Sequence, residues 1–180
     1  DDNDSLCRLL DTLLAQDVAL LQYRNKQAAP ALRQAQAAAL LAVCRRHGVT
    51  MLVNDDWRLA RDIGADGVHL GASDDAPDRV RGELGDGFLI GVSCYSDPGR
   101  AAMLARQDVD YLAFGAMFAS PTKPAAPRAP MSVLQDAKGL GKSVVAIGGI
   151  TPDNCRQLRQ AGADFIALVS GVFSAPNPAQ

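Results

Sequence analysis

The sequence predicts an α/β fold in which strand–helix units alternate around a closed parallel sheet. Runs that are apolar at nearly every position, as expected for strands covered on both faces, occur at 18–23, 50–53, 67–70, 89–93, 111–118, 143–147 and 165–169. Helix-like stretches separate them, the longest at 29–47, and this alternation is typical of βαβ units. No G-x-G-x-x-G turn follows a first strand, which favours a TIM (β/α)₈ barrel over an open doubly wound sheet.

The corner where a helix ends and a strand begins is repeated along the chain. The segment GADGV at 64–68 is similar to GADFI at 162–166, and QDVAL at 16–20 is similar to QDVDY at 107–111. Gly64 and Gly162 are expected directly after a helix, at the position that often adopts the left-handed backbone conformation and favours glycine. One supersecondary unit used four times indicates a closed barrel.

The helices and strands follow one another from a first helix at 5–14, with Asp4 or Ser5 as its expected N-cap. Later helices begin near residues that favour a helix start, namely Asp56, Asp75, Asp97, Pro130 and Thr151. An eight-stranded barrel needs one more strand, before the first helix. We therefore expect a single barrel domain at 1–174 that lacks its first strand in this chain, and a proline-rich tail at 175–180.

The composition excludes several classes of protein. The chain has 180 residues, of which 48% are hydrophobic, as in an ordinary globular domain. Its 18 Lys and Arg against 20 Asp and Glu exclude a strongly basic nucleic-acid-binding protein. No apolar run reaches the roughly 18 residues that a membrane span needs, so we expect no membrane partner. The four cysteines form no C-x-x-C pair, which favours a reducing cytoplasm over a disulfide or zinc scaffold.

Polar residues follow the first predicted strand at alternate positions, Gln22, Arg24 and Lys26. In an extended segment this spacing places all three side chains on one side. Two cations and an amide at the carboxyl end of a barrel strand predict a site for a multiply charged anion. A solvated strand end is the alternative for the same pattern.

Acidic residues follow the second and third predicted strands. Asp55 and Asp74 are candidate ligands of Mg²⁺, which prefers one or two carboxylates together with phosphate oxygens. Capping of the next helix is the alternative for Asp55 and Asp56. Asp75 is the expected cap of the helix after the third strand.

The later strand ends predict phosphate-binding groups. Ser93 follows the fourth strand and could donate a hydrogen bond to a phosphate. Hydroxyls and a cation lie between prolines after the fifth strand, at Ser120, Thr122 and Lys123, in an anion-binding loop or a plain linker.

Glycines end the last two strands, at Gly148-Gly149 and Ser170-Gly171. Free backbone N–H groups at helix N-termini there form the phosphate site that such barrels usually carry, with tight turn geometry as the alternative. A second anion site thus faces the Arg/Lys/Asp site across one barrel mouth. The pairing predicts an enzyme that joins two phosphorylated substrates or isomerises one.

Nucleophilic catalysis has little support in the sequence. Cys94 has no partner base, because His47 falls on a helix and His69 is expected to be a hydrogen-bonded core histidine. We expect no covalent protein nucleophile.

At these residues the sequence closely resembles the thiamine phosphate synthase family. The likeness extends from Asp17 to Phe173 and is carried by LQYRNK at 21–26, VND at 53–55, GADGVHLG at 64–71, GVS at 91–93, PTK at 121–123 and VAIGGI at 145–150. The family usually has glutamine after His-Leu-Gly, whereas this chain has Ala72. The family's loop Pro-Thr-x-Thr-Lys corresponds to Ala119-Ser120-Pro121-Thr122-Lys123 in this chain.

The resemblance implies a reaction that couples an aminopyrimidine-methyl diphosphate to a thiazole phosphate and releases pyrophosphate. It implies that Gln22 orients the pyrimidine and that the diphosphate is held by Arg24, Lys26, Asn54, Ser93 and Lys123. Mg²⁺ would be bound by Asp55 and Asp74, and the thiazole phosphate would be surrounded by Ser120, Thr122, Gly149, Val169 and Ser170.

The implied mechanism is dissociative, since Mg²⁺ and the cations stabilise charge that develops on the leaving pyrophosphate. Two other functions remain open. One is a related thiazole tautomerase, although this enzyme should not need the cations and paired carboxylates. The other is a catalytically inactive barrel that binds phosphate ligands.

Overall fold

The computed structural model describes residues 3–119 and 127–173, and it confirms the alternation of strands and helices. The strands are β1 (Leu20–Tyr23), β2 (Thr50–Asn54), β3 (Gly67–Leu70), β4 (Leu89–Tyr95), β5 (Tyr111–Phe114), β6 (Ser143–Ile147) and β7 (Phe165–Ala167). The helices are α1 (Asn3–Leu14), α2 (Pro30–His47), α3 (Trp57–Ile63), α4 (Pro77–Leu84), α5 (Pro98–Leu104), α6 (Ser132–Ala137), α7 (Pro152–Ala161) and α8 (Ser170–Phe173). The chain is therefore an α/β protein.

The sheet of the described residues has seven parallel strands in the order β1-β2-β3-β4-β5-β6-β7. It curls as in a TIM barrel. Each strand pairs in register with the next along the chain, so all carboxyl ends meet at one edge. No helix in the described part of the chain is long and apolar enough to cross a membrane.

Three predicted helix starts are confirmed by local hydrogen bonds, whereas the first helix begins at Asn3, so the prediction of Asp4 or Ser5 as its N-cap is wrong. Asp56 and Asp97 cap α3 and α5, each accepting a backbone N–H at 3.0 Å. Thr151 opens α7 in a capping box with Asn154. Asp75 was expected to cap α4, and this prediction is wrong, because Ala76 holds that position and Pro77 fills the first turn.

The fifth strand is shorter than predicted. It ends at Phe114 because residues 115–118 bend away from a regular ladder toward the end of β6. Their backbone remains satisfied, since the N–H groups of Met117 and Phe118 donate to the carbonyls of Ile147 and Gly148 at 3.0 and 2.9 Å. The segment after β5 is thereby fixed against the glycine turn that follows β6.

The core forms two packed clusters between the sheet and the helices. The larger lies under α4–α7 and includes Ile90, Phe114 and Leu134. The smaller lies under α1–α3 and includes Leu40 and Met51. Because both faces of most strands are covered, the near-continuous apolar runs of the sequence are explained.

The repeated corner of the sequence has one structural role at the amino ends of the strands. An aspartate precedes every second strand, and its carboxylate and its own N–H both bond to the backbone of one residue on the neighbouring strand. The pairs are Asp66 with Met51, Asp110 with Ile90 and Asp164 with Val144, at 2.7–2.9 Å. The carboxylate thus satisfies a strand N–H that lies at the start of the ladder.

Replacing Asp110 with alanine is expected to destabilise the fold by about 2 kcal/mol. The change leaves the N–H of Ile90 without its acceptor and removes the carboxylate 2.9 Å from the guanidinium of Arg81, which is 8% exposed. Urea unfolding followed by circular dichroism measures the effect. Asp108→Ala is the matched control, because this carboxylate contacts the same arginine but is 62% exposed, so it should cost under about 1 kcal/mol. Equal losses for the two variants would contradict this role of Asp110.

Candidate functional site

The carboxyl ends of β1, β2 and β3 bring together the predicted cations and carboxylates. The ammonium of Lys26 lies 2.7 Å from Oδ2 of Asp55. Asp74 lies beside Asp55, close enough for the two carboxyl groups to share a hydrogen bond, and Arg24 interacts electrostatically with Asp55. Asn54 lines the same cleft as Arg24, Lys26 and Asp55. The predicted diphosphate and metal residues of these strands therefore form one cluster.

Asp55 is held in place by a backbone hydrogen bond to β3, and it is not the cap of α3. Asp56 caps α3, which leaves the Asp55 carboxylate free for the cleft. The N–H of Asp55 donates to the carbonyl of His69 on β3 at 2.8 Å, and its φ is +65°. A positive φ in a residue other than glycine costs energy and is common at functional sites. The alternative reading of Asp55 as a cap is excluded.

The pKa values of the two carboxyl groups are shifted in opposite directions. Burial acts to raise the pKa of Asp55, but hydrogen bonds from Lys26 and Asp74 and the nearby cations outweigh it and lower the pKa. Burial and the charge of Asp55 raise the pKa of Asp74, although the N–H of Gly71 bonds its carboxylate at 2.6 Å. When two carboxyl groups lie so near each other, ionising both costs free energy unless a cation lies between them.

This donor set fits a magnesium ion. Mg²⁺ keeps several oxygen ligands from water or substrate phosphate and needs only one or two carboxylates from the protein. Within residues 3–119 and 127–173 no group of three or more His, Cys, Asp or Glu side chains could hold a metal ion. A Mg²⁺ ion on Asp55 and Asp74 would leave its other coordination positions to oxygens of water or substrate.

A second cluster lies inside the barrel, next to the first, and links four strands. Nδ1 of His69 lies 2.8 Å from the hydroxyl of Tyr111, and Nε2 lies 2.8 Å from the hydroxyl of Ser93. The side-chain amide of Gln22 also interacts with the Tyr111 hydroxyl and acts to lower its pKa. The predicted site residues Gln22 and Ser93 are thus connected through two residues that the prediction did not include.

The imidazole at the centre of this cluster is neutral at physiological pH. Burial lowers the pKa of His69 to about 4, even though the charge of Asp55 acts to raise it. Burial also raises the pKa of Tyr111, which stays protonated. His69 is the hydrogen-bonded core histidine expected from the sequence, but one of its partners is a site residue.

The predicted thiazole-phosphate residues divide between described and undescribed parts of the chain. Gly149 follows β6, Val169 lies between β7 and α8, and Ser170 is the first residue of α8, at the same edge of the sheet as Asp55. Gly149 has a φ of +64°, and a Cβ there would lie 2.3 Å from the carbonyl oxygen of Ala119. The remaining residues of this prediction, Ser120 and Thr122, and the predicted diphosphate ligand Lys123 lie outside the described residues.

The two buried cysteines, Cys44 on α2 and Cys94 on β4, are poor nucleophiles. Burial raises the pKa of the Cys94 thiol to about 12 and that of Cys44 to about 11. Because the thiolate is the reactive form, neither is a nucleophile at neutral pH.

Sequence reasoning missed Tyr111 as a site residue. Tyr111 can be recognised from the residue beside it on the neighbouring strand, since Gly91 on β4 pairs with Tyr111 on β5. A Cβ on Gly91 would lie 1.9 Å from the tyrosine ring, so this glycine makes room for the ring in the barrel interior. That signal requires the strand register.

Comparisons with known proteins identify the family of this chain. A family model described as thiamine monophosphate synthase matches residues 1–172. The chain is 50% identical to thiamine-phosphate synthase of Bordetella pertussis, over 98% of this chain and 85% of the relative. It is 49% identical to thiamine-phosphate synthase of Xanthomonas campestris, over 99% of this chain and 86% of the relative.

Solved structures place the fold in the same group. A thiamine phosphate pyrophosphorylase from Pyrococcus furiosus superposes with a TM-score of 0.87 at 28% identity, over 96% of this chain and 83% of that one. A 3-hexulose-6-phosphate synthase shares the fold alone, with a TM-score of 0.72 at 16% identity, over 98% of this chain and 89% of that one. Because the family model matches residues 1–172 and the two relatives are 50% and 49% identical, the chain belongs to the thiamine monophosphate synthase family.

Proposed function

We propose that this chain is a transferase that joins 4-amino-2-methyl-5-(diphosphooxymethyl)pyrimidine to 4-methyl-5-(2-phosphooxyethyl)thiazole, giving thiamine phosphate and pyrophosphate. The observation that carries the proposal is the cluster of Arg24, Lys26, Asp55 and Asp74 at the sheet edge where Gly149 also lies. The membership of the family and the similarity to thiamine-phosphate synthases support it.

The cations hold the diphosphate of the pyrimidine substrate. Arg24 and Lys26 lie beside the acidic pair and present donors to phosphate oxygens, and Asn54 adds an amide at the same cleft. Lys26 is then shared between Asp55 and the diphosphate. Mg²⁺ bound at Asp55 and Asp74 would supply Lewis-acid stabilisation of the negative charge on the departing pyrophosphate.

The remaining residues orient the pyrimidine and the attacking ring. Gln22 bonds the heteroaromatic ring, and Ser93 and Lys123 contact the diphosphate. The 4-amino group releases electron density to the methylene as pyrophosphate departs, and the thiazole nitrogen then attacks the resulting pyrimidine cation. No side chain forms a covalent bond to substrate, and the raised thiol pKa of Cys94 supports this.

The thiazole phosphate lies at the ends of β6 and β7. Gly149 and Ser170 offer backbone N–H groups to the phosphate, with Val169 beside them, and the hydroxyls of Ser120 and Thr122 are proposed as further donors. Anchoring the phosphate holds the thiazole nitrogen close to the methylene, which converts an encounter of two molecules into a reaction within one complex.

The proposal extends to the rest of the barrel. Leu20 on β1 and Phe165 on β7 are 36% and 49% exposed at the two edges of the sheet, which supports an eighth strand that closes a (β/α)₈ barrel between them. We propose one barrel domain at 1–174 and a tail at 175–180, and the tail lies outside the described residues. The partners are two phosphorylated small molecules in the cytoplasm, without nucleic acid or membrane.

The deciding experiment supplies both substrates with Mg²⁺ and measures pyrophosphate and thiamine phosphate. We expect the two products in equal amounts, and loss of both when EDTA removes the metal. Rearrangement of the thiazole without release of pyrophosphate would indicate a tautomerase instead. Binding of both phosphorylated ligands by calorimetry without any product would indicate an inactive barrel.

A further inference from the structure

We propose that Tyr111 and His69 are positioning residues that turn the hydroxyl proton of Ser93 toward the barrel mouth. They form a one-directional hydrogen-bond relay in which the Tyr111 hydroxyl donates to Nδ1 of His69, and Nε2–H of His69 donates to Oγ of Ser93. The inference rests on the proposed function, because it assigns the use of Ser93 at the diphosphate.

The geometry of the relay is complete at both ring nitrogens. Both contacts of His69 measure 2.8 Å, which is an ordinary distance for a strong hydrogen bond to a ring nitrogen. The imidazole is only 9% exposed, so each nitrogen depends on its protein partner. A neutral imidazole carries one donor and one acceptor, and the relay must therefore run in one of two directions.

The partners at the two ends select the direction. The side-chain amide of Gln22 also interacts with the Tyr111 hydroxyl and acts to lower the pKa of the phenol, as a donated N–H does. With the amide as donor, the tyrosine proton is directed to His69. A phenol is also a far better donor and a poorer acceptor than an aliphatic alcohol, which favours tyrosine as the donor to nitrogen and serine as the acceptor. The Nε2–H tautomer follows.

The consequence falls on the Ser93 hydroxyl. Its oxygen accepts from His69 and its proton is left for a substrate oxygen. The serine backbone is fixed as well, because Nε of Arg100 donates to the Ser93 carbonyl at 2.8 Å. In the opposite direction, the serine proton would point at the imidazole and the hydroxyl could only accept from the substrate.

The tautomer can be read directly in the substrate-free protein by ¹⁵N NMR of histidine. The chain has two histidines, and His47→Gln assigns their signals, because His47 bonds Asp11 on the outer helices. We expect a protonated Nε2 and an unprotonated Nδ1 for His69. A protonated Nδ1 in the unsubstituted protein would overturn the inference, whatever its activity.

Tyr111→Phe tests the relay by removing its first donor. We expect loss of the single Nε2–H tautomer and a fall of about tenfold in kcat for pyrophosphate release, with the KM of the thiazole phosphate unchanged. Tyr23→Phe is the matched control, since it also removes a buried hydroxyl, 3.0 Å from Gln36. This control should keep the tautomer and a kcat within about twofold of the parent protein.

The outcomes separate this inference from the proposed function. If the tautomer is as expected but the unsubstituted protein forms no pyrophosphate, the relay stands and the proposed function fails. If pyrophosphate is released and Tyr111→Phe keeps both the tautomer and kcat, the relay is overturned and the proposed function stands. The ¹⁵N NMR spectrum of the unsubstituted protein gives the His69 tautomer, and with it the direction of the relay, even if Tyr111→Phe does not fold.

Discussion

Replacing Asp55 with asparagine is expected to lower kcat/KM for pyrophosphate release by about a thousandfold, the equivalent of about 4 kcal/mol. Asparagine keeps the shape of the side chain and tolerates a positive φ, so the backbone at +65° is retained. What is lost is the ionised partner of Lys26 and one of the two proposed metal carboxylates. Steady-state assays over a range of Mg²⁺ concentrations measure the loss, and the Mg²⁺ concentration for half-maximal rate should rise.

Asp75→Asn is the matched control for this experiment. Asp75 lies next to Asp74 in the chain, but it accepts from Nε1 of Trp57 at 2.7 Å and pairs with Arg79 at 2.9 Å, away from the paired carboxylates. We expect its turnover to stay within about twofold of the unsubstituted protein. Unchanged turnover in Asp55→Asn would remove the acidic pair from the mechanism.

Gly149→Ala is expected to raise the KM of the thiazole phosphate by at least about tenfold and to lower kcat. The φ of +64° is strained for alanine, and the added Cβ would meet backbone atoms of Phe118 and Ala119 at 2.3–2.8 Å. Backbone cannot yield as a flexible side chain does, so the turn after β6 must shift. Its N–H groups then leave the position proposed for the phosphate.

Gly139→Ala is the control for the general cost of adding a methyl group. Gly139 lies in the turn after α6, and a Cβ there meets nothing within 4 Å. Kinetic constants of this variant should not change. Initial rates at varied thiazole phosphate with saturating pyrimidine diphosphate compare the two variants. A normal KM in a folded Gly149→Ala protein would show that the phosphate is held elsewhere.

The strands could be predicted because burial on both faces leaves a mark in the sequence itself. The runs at 67–70 and 143–147 coincide with β3 and β6. The end of β5 could not be predicted, because residues 115–118 remain apolar while the N–H groups of Met117 and Phe118 donate to Ile147 and Gly148 at the end of β6. Apolar content reports burial and not which backbone group is the partner.

The cap of α4 shows a second limit of local patterns. Asp75 has the residue type of a helix cap, but Trp57 and the arginines Arg58 and Arg79 take its carboxylate. Two of these partners lie in α3, a separate element of the chain. Competition of this kind is settled by packing and not by propensity.

The order of strands and the placing of polar groups at their carboxyl ends were determined by the sequence alone. In a parallel sheet whose strands follow the order of the chain, all carboxyl ends lie at one edge. Arg24, Asp55 and Asp74 each follow a strand, so they come to that edge together. Only the tertiary structure decided which side chains touch, such as the sharing of a hydrogen bond by Asp55 and Asp74 and the bonds from His69 to Tyr111 and Ser93. The physical reason is that hydrogen bonds need a precision of tenths of an ångström across strands, which depends on register and on the space that Gly91 leaves.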